Sequence, residues 1–359
     1  MVGVAWRVPL LMLAFLSLFV GTAAGLVRLG WPFAPWVAGL AAMHGPLMVS
    51  GFFGTVISLE RAVALSRRWA YLAPLLAGLG AAAAVFDIVP AATAASLAIA
   101  GSATMAAASV VIYTRQRELF TLTLALGAAC WLLGNVLWLV GLPVHTVVSW
   151  WLASLVLTIA GERLELSRLL PTSAAARRVF AIAVALTLCG AVLSTRAETA
   201  GTLLLGAGLL LMAVWLVRQD VARRTIKGSG LTRFIAACLL SGYGWLAVAG
   251  VIILESGGLG AGGTAYDAAL HAVLLGFVFS MVFGHAPLIF PAILRVAVPY
   301  SAYFYLPLAL LHGSLVVRLA GDLALRPDWR AWGGALNGVA LLAFVLGTIS
   351  AVIRGRSVR

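Results

Sequence analysis

The sequence predicts an all-α, polytopic transmembrane bundle of about twelve spans, and three observations predict it. Of the 359 residues, 63% are hydrophobic and only 10% charged, whereas a soluble domain carries about 25% charged residues. Mean hydropathy is +1.08, so lipid is the solvent for most of the chain. The apolar runs are about 20 residues long, the length an α-helix needs to cross the hydrocarbon core. Barrel strands are shorter and alternate in polarity, and no other spanning backbone satisfies its own N–H and C=O groups inside lipid.

Runs bounded by charge, Pro or Gly fall near 8–29, 36–60, 70–90, 92–113, 119–141, 143–161, 178–194, 200–217, 231–254, 265–293, 301–320 and 331–353. Connections are short and the longest, around 162–178 and 218–231, are basic, so 1–359 reads as one integral membrane domain. Cytoplasmic loops carry the excess of Lys and Arg. With the N-terminus inside, 19 of the 24 basic residues fall on the cytoplasmic side, and only Arg28, Arg196, Arg318, Arg326 and Arg330 fall opposite. Both termini are therefore expected in the cytoplasm of a bacterial-type inner membrane. Arg7 followed by an apolar run ending in Gly21-Thr22-Ala23-Ala24 leaves open a cleaved signal peptide, whose loss would leave eleven spans with the same sidedness.

The formal charge of +13 does not point to nucleic acid, because the basic residues punctuate apolar runs and form no basic face. Cys130, Cys189 and Cys238 lie inside apolar runs without C-x-x-C spacing, which argues against a disulfide framework or a thiolate zinc site. Packing is their expected role. With no C-x-x-C-H motif, any haem would be held non-covalently.

All five histidines, His44, His145, His271, His285 and His312, lie in or beside predicted spans. Ionisable groups at membrane depth are costly and point to function by default. His44 is eight residues from the outer end of span two, roughly 12 Å deep, and His271 six residues into span ten, roughly 9 Å deep. Two neutral imidazoles at one level are what a b-type haem needs, one Nε2 on each side of the iron. His44 and His271 are thus the expected axial pair, and Gly45, Gly51, Gly54, Gly276 and Gly284 suit either a flat ring or close helix packing.

His285 follows His271 by 14 residues on nearly the same helix face, a spacing like that of two-haem helices in respiratory cytochromes b. The position 14 after His44 is Ser58, which does not ligate iron, so a matching second bis-His site is not expected. His285 stays a candidate metal ligand of a different kind. Near its level lie Glu60-Arg61 and Glu162-Arg163 with Glu165. They are either interfacial charges or, for Glu60 and Glu162, proton-relaying catalytic groups beside a metal or quinone. Met48, one turn after His44, and Met281, one turn before His285, offer thioethers to copper, though such methionines are also ordinary filler. His145 opens span six, and His312 matches no other histidine in depth.

Pro287 and Pro291 are expected to kink or end span ten. Trp131, Asn135 and Trp138 share a face of span five, where Asn135 is placed to hydrogen-bond a neighbouring helix. A weak internal echo pairs His44, Leu59-Glu60-Arg61 and Ser66-Arg67 with His145, Gly161-Glu162-Arg163 and Ser167-Arg168. Duplication and coincidence both stay open.

His44-Gly45-Pro46-Leu47-Met48 followed by Gly51-Phe52-Phe53-Gly54, with the late His271 helix and twelve spans, resembles the NnrS proteins. Those are bacterial membrane haem and copper proteins linked to nitric-oxide stress. The pattern also resembles, more loosely, the catalytic subunit of haem-copper oxidases, whose second and tenth spans supply low-spin haem ligands. The resemblance implies haem at His44 and His271 and leaves His285 unmatched. Neither adjacent histidines nor an H-x-H arrangement is present, so oxygen reduction is not expected. Two functions remain: a haem protein or membrane oxidoreductase moving electrons or handling a small ligand such as nitric oxide, with quinol as a candidate partner; or a proton-coupled transporter using His and Glu.

Overall fold

Helices are the structure that lipid permits, and a computed structural model, which describes residues 4–167, 173–260 and 262–357, is all-α over those residues. Twelve helices among them are long and apolar enough to cross a membrane. They are α1 (Val4–Arg28), α2 (Ala41–Leu65), α3 (Arg68–Val85), α4 (Ala91–Arg115), α5 (Leu119–Leu139) and α6 (Val144–Ser167). The series continues with α7 (Ala174–Ser194), α8 (Glu198–Gln219), α9 (Gly230–Glu255), α10 (Thr264–Leu294), α11 (Ala302–Leu323) and α12 (Pro327–Gly355). Arg168 and Arg359, counted above as cytoplasmic charges, lie outside the described residues.

Three span ends differ from expectation: the second helix begins at Ala41 rather than near 36, after a separate short turn at Pro35–Ala38, and two others differ for local reasons. The third helix stops at Val85 rather than near 90, because Asp87 adopts a left-handed backbone (φ +51°) and Pro90 follows; neither continues an α-helix. The sixth runs on to Ser167 rather than stopping near 161, and Arg163, Leu164 and Ser167 on its last turns are buried. Arg163 is thus a core residue and not a loop charge. Pro287 and Pro291 do not end α10, which continues to Leu294 and closes at Arg295 in the left-handed region.

The chain divides into two compact units, Met1–Ser154 and Leu155–Arg359, the division falling within α6. In the first unit α2 is the inner rod. Every residue of Leu47–Phe53 is buried, and a Cβ at Gly51 would meet Ser17 of α1 and Ala81 of α3, while one at Gly54 would enter the Trp131 ring of α5. Small residues permit these approaches, and close packing is what associates helices in lipid.

A polar knot ties α2, α4 and α5 to the start of α6. Ser50 Oγ donates to Asn135 Oδ1 at 2.7 Å and accepts from Trp131 Nε1 at 3.1 Å. Trp151 Nε1 donates to the same Asn135 oxygen at 3.2 Å, and Asn135 Nδ2 donates to Ala98 O at 3.4 Å. The helix-to-helix bond expected of Asn135 is therefore present. Because Asn135 and Trp151 are fully buried, Asn135→Ala strands two donors, and we expect a loss of about 2–3 kcal/mol. Thermal unfolding of the detergent-purified variant measures it.

In the second unit α7 and α8 approach backbone to backbone. A Cβ at Gly190 would overlap Leu205 N, and one at Gly201 would overlap Ser194 N. The α11–α12 pair does the same at Gly321 against Arg330 and Gly333 against Arg318. This contact carries three charged side chains, Arg318, Asp322 and Arg330, into one place. Cys130 and Cys238 are buried, as packing requires, and Cys189 is exposed.

Candidate functional site

The two singled-out histidines occupy parallel local settings, each inside its own unit. In α2, His44 precedes a π-helical stretch, Leu47–Phe53; in α10, His271 immediately precedes another, Ala272–Phe279. A π turn bonds i to i+5 and is uncommon; where it appears inside an α-helix it often marks a functional position. Each stretch is followed by a serine that bonds back to a glycine carbonyl: Ser58 to Gly54 O at 2.6 Å, and Ser280 to Gly276 O at 2.5 Å.

The rings are held by main-chain acceptors. His44 Nδ1 lies 2.7 Å from Gly21 O, and the ring lies against Gly25 of α1, where a Cβ would come within 2.7 Å of it. His271 Nδ1 lies 2.8 Å from Asp267 O, one turn earlier, and 3.4 Å from the carboxylate oxygen Asp267 Oδ1. A carbonyl only accepts, so Nδ1 carries a proton in both rings, and in the neutral ring the lone pair is then on Nε2. That is the tautomer of an Nε2 metal ligand, and a carbonyl or carboxylate on Nδ1 is its usual support.

The other histidines differ. His285 Nδ1 donates to Met281 O at 2.6 Å, but its Nε2 accepts from Arg163 Nη2 at 2.9 Å. A metal on His285 Nε2 would displace that bond and place a second cation beside a guanidinium. His312 has the opposite tautomer, since its Nδ1 accepts from Trp245 Nε1 at 2.9 Å, which leaves the proton on Nε2. His145 is half-buried in the first turn of α6.

Glu60 is half-buried toward the end of α2 in the first unit, and Glu162 half-buried toward the end of α6 in the second. Arg163, next to Glu162, is the side chain that reaches His285. Met48 Sδ packs toward Gly21 and Met281 Cε toward Gly242, the filler role open to both. No group of three or more His, Cys, Asp and Glu side chains with metal-holding geometry occurs among the described residues; a bis-imidazole haem requires two.

Sequence reasoning missed two polar clusters of the second unit. In one, Tyr243 Oη donates to Asp220 Oδ2 at 2.8 Å, and Asp220 Oδ1 accepts from Ala222 N at 2.7 Å. In the other, Asp267 Oδ2 accepts from Arg318 Nε (3.2 Å) and Nη2 (2.9 Å), while Arg330 Nη2 stands 3.4 Å from Asp267 Oδ1. The signal for the second was present: Asp267 precedes His271 by four residues, as Arg318 precedes Asp322, and such pairs share a helix face.

Residues 7–353 match the family described as a domain of unknown function, DUF8744. The chain belongs to that family. The DUF8744 match covers nearly the whole polytopic bundle and brings no cofactor or substrate with it. Among curated proteins none matches. The likeness to NnrS proteins therefore rests on the residues quoted above, and what stands without it is a membrane-spanning helical protein.

Proposed function

We propose that this protein is a b-type haem protein of a bacterial-type cytoplasmic membrane. It would serve electron transfer or the redox chemistry of a small ligand such as nitric oxide, with quinol as a candidate donor. His44 and His271, each within its own unit, are the proposed axial ligands. The observation that carries the reading is their shared preparation: each stands at the head of a π-helical stretch, and each gives Nδ1–H to a main-chain carbonyl.

Each imidazole by itself has the chemistry that the group needs. A neutral imidazole whose tautomer is already set loses little freedom on ligation, and the Asp267 carboxylate beside His271 Nδ1 raises the basicity of its Nε2. Bound haem supplies a one-electron couple whose potential depends on its axial ligands and their hydrogen bonds. What the chain contributes is orientation: Gly21 O and the Gly25 surface hold the first ring, and Asp267 the second. His285, engaged by Arg163, is left out of the ligand set. Copper would call on Met48 beside His44.

The visible spectrum of detergent-purified protein from haem-replete cells tests this. We expect a Soret band in the wild type, lost or converted to a high-spin form in His44→Ala and in His271→Ala, and unchanged in His312→Ala. A colourless wild type overturns the reading. It would then favour the second one, a proton-coupled transporter, which the buried charge cluster around Asp267 supports.

A further inference from the structure

Asp322, on α11, is fully buried, and neither of its carboxylate oxygens receives a hydrogen bond. Charged and titratable groups stand around it on three helices: Asp267 from α10, with His271 beside that carboxylate; Arg318 one turn earlier on α11; and Arg330 from α12. Arg318 directs both its Nε and Nη2 to Asp267 Oδ2, and Arg330 presents Nη2 to Asp267 Oδ1. Arg330 Nε lies 2.9 Å from Asp322 Oδ1, but its N–H is not aimed at that oxygen.

The two carboxylates are thus treated unequally: Asp267 takes the donors and Asp322 takes none. A buried carboxylate without a donor is among the costliest groups a protein can hold. A carboxyl that keeps its proton avoids that cost, and it turns one oxygen from an unserved acceptor into a donor. The acceptor is at hand, since one guanidinium stands against both carboxylates, Arg330 Nη2 3.4 Å from Asp267 Oδ1 and Nε 2.9 Å from Asp322 Oδ1. We propose that Asp322 is a proton-holding site of the second unit, a neutral carboxyl that gives its O–H to the Asp267 carboxylate.

The placement of Arg330 indicates how the proton leaves. At 34% side-chain exposure Arg330 is the most open member of the set, against 8% for Arg318, 16% for Asp267 and 13% for His271. The guanidinium is already 2.9 Å from Asp322 Oδ1, so turning its Nε–H onto that oxygen supplies the donor that the anion lacks. The proton then departs to water, the O–H bond of Asp322 breaking as the Arg330 Nε–H bond to its carboxylate forms. This holds whatever His271 carries.

Infrared spectroscopy of the purified full chain tests it, because a protonated carboxyl has a C=O stretch well separated from ionised carboxylates and from the amide bands. At neutral pH we expect such a band in the wild type, displaced when the protein is made with carboxyl-13C aspartate and downshifted in heavy water. Asp322→Asn should fold, since an amide replaces a neutral carboxyl of the same shape, and should lose the band. The proposal is overturned by a wild type with no aspartate-sensitive carboxyl band, or by a band that survives Asp322→Asn. It is equally overturned if Asp322→Asn fails to accumulate while Asp322→Glu accumulates normally, for then the site needs its charge.

Discussion

Gly201→Val is expected to remove most of the folded protein from the membrane fraction, while Gly244→Val leaves yield and melting temperature at or slightly above those of the wild type. At position 201 even the first carbon of a side chain falls onto Ser194 N and Cα of the neighbouring helix. Those are backbone atoms, which have no rotamer to escape into. Relief requires α7 and α8 to separate, which forfeits the van der Waals packing that holds helices together in lipid. Overpacking costs about 1–3 kcal/mol where side chains can yield, and here they cannot. Gly244 has nothing within 4 Å of a built Cβ and an ordinary helical backbone, so adding a side chain there only lowers the cost of ordering a glycine. Expression level and unfolding temperature of the pair separate steric exclusion from any general intolerance of valine in these helices.

Arg318→Leu should be the most damaging single loss of charge in the second unit. The guanidinium is 8% exposed and holds Asp267 Oδ2 through two nitrogens. Removing it leaves a largely buried carboxylate with Arg330 as its remaining cation. Breaking one side of a buried pair costs about 3–5 kcal/mol, because the other charge stays behind. Arg318→Lys should recover only part of this, since an ammonium cannot present two fixed donors to one oxygen. Chemical unfolding of the three proteins in one detergent, followed by far-ultraviolet circular dichroism, gives the order wild type, Lys, Leu. If Leu equals wild type, the pair is not the clamp its geometry describes.

The twelve spans were legible because lipid imposes a one-dimensional rule: about 20 apolar residues and a closed hydrogen-bond ladder. Ends were less so. Charge counting treats every arginine as a topology signal, yet Arg163 is covered by protein and lengthens α6, and Arg318 and Arg330 answer to Asp267 rather than to lipid headgroups. Depth along the helix singled out His44 and His271 in the sequence, but α2 begins at Ala41 and α10 at Thr264, so His44 lies nearer its helix start than the expected eight residues. Their tautomers were half legible: Asp267 and His271 are four residues apart on one helix, while Gly21 and His44 are 23 residues apart on two. The 122 residues between Arg163 and His285 put that pairing beyond any local pattern.

Hydropathy does not reveal either wide-turned stretch as such, since Leu47–Phe53 and Ala272–Phe279 read as ordinary apolar segments of a span. Each nevertheless sets the azimuth of everything beyond it. In a regular helix one residue is worth about 100° of rotation, so taking one residue out of either stretch would swing its histidine off its present bearing relative to the far half of the same rod. Mean hydropathy and span count would both look untouched. The aim of these imidazoles is thus written in the pitch of the chain as much as in its letters.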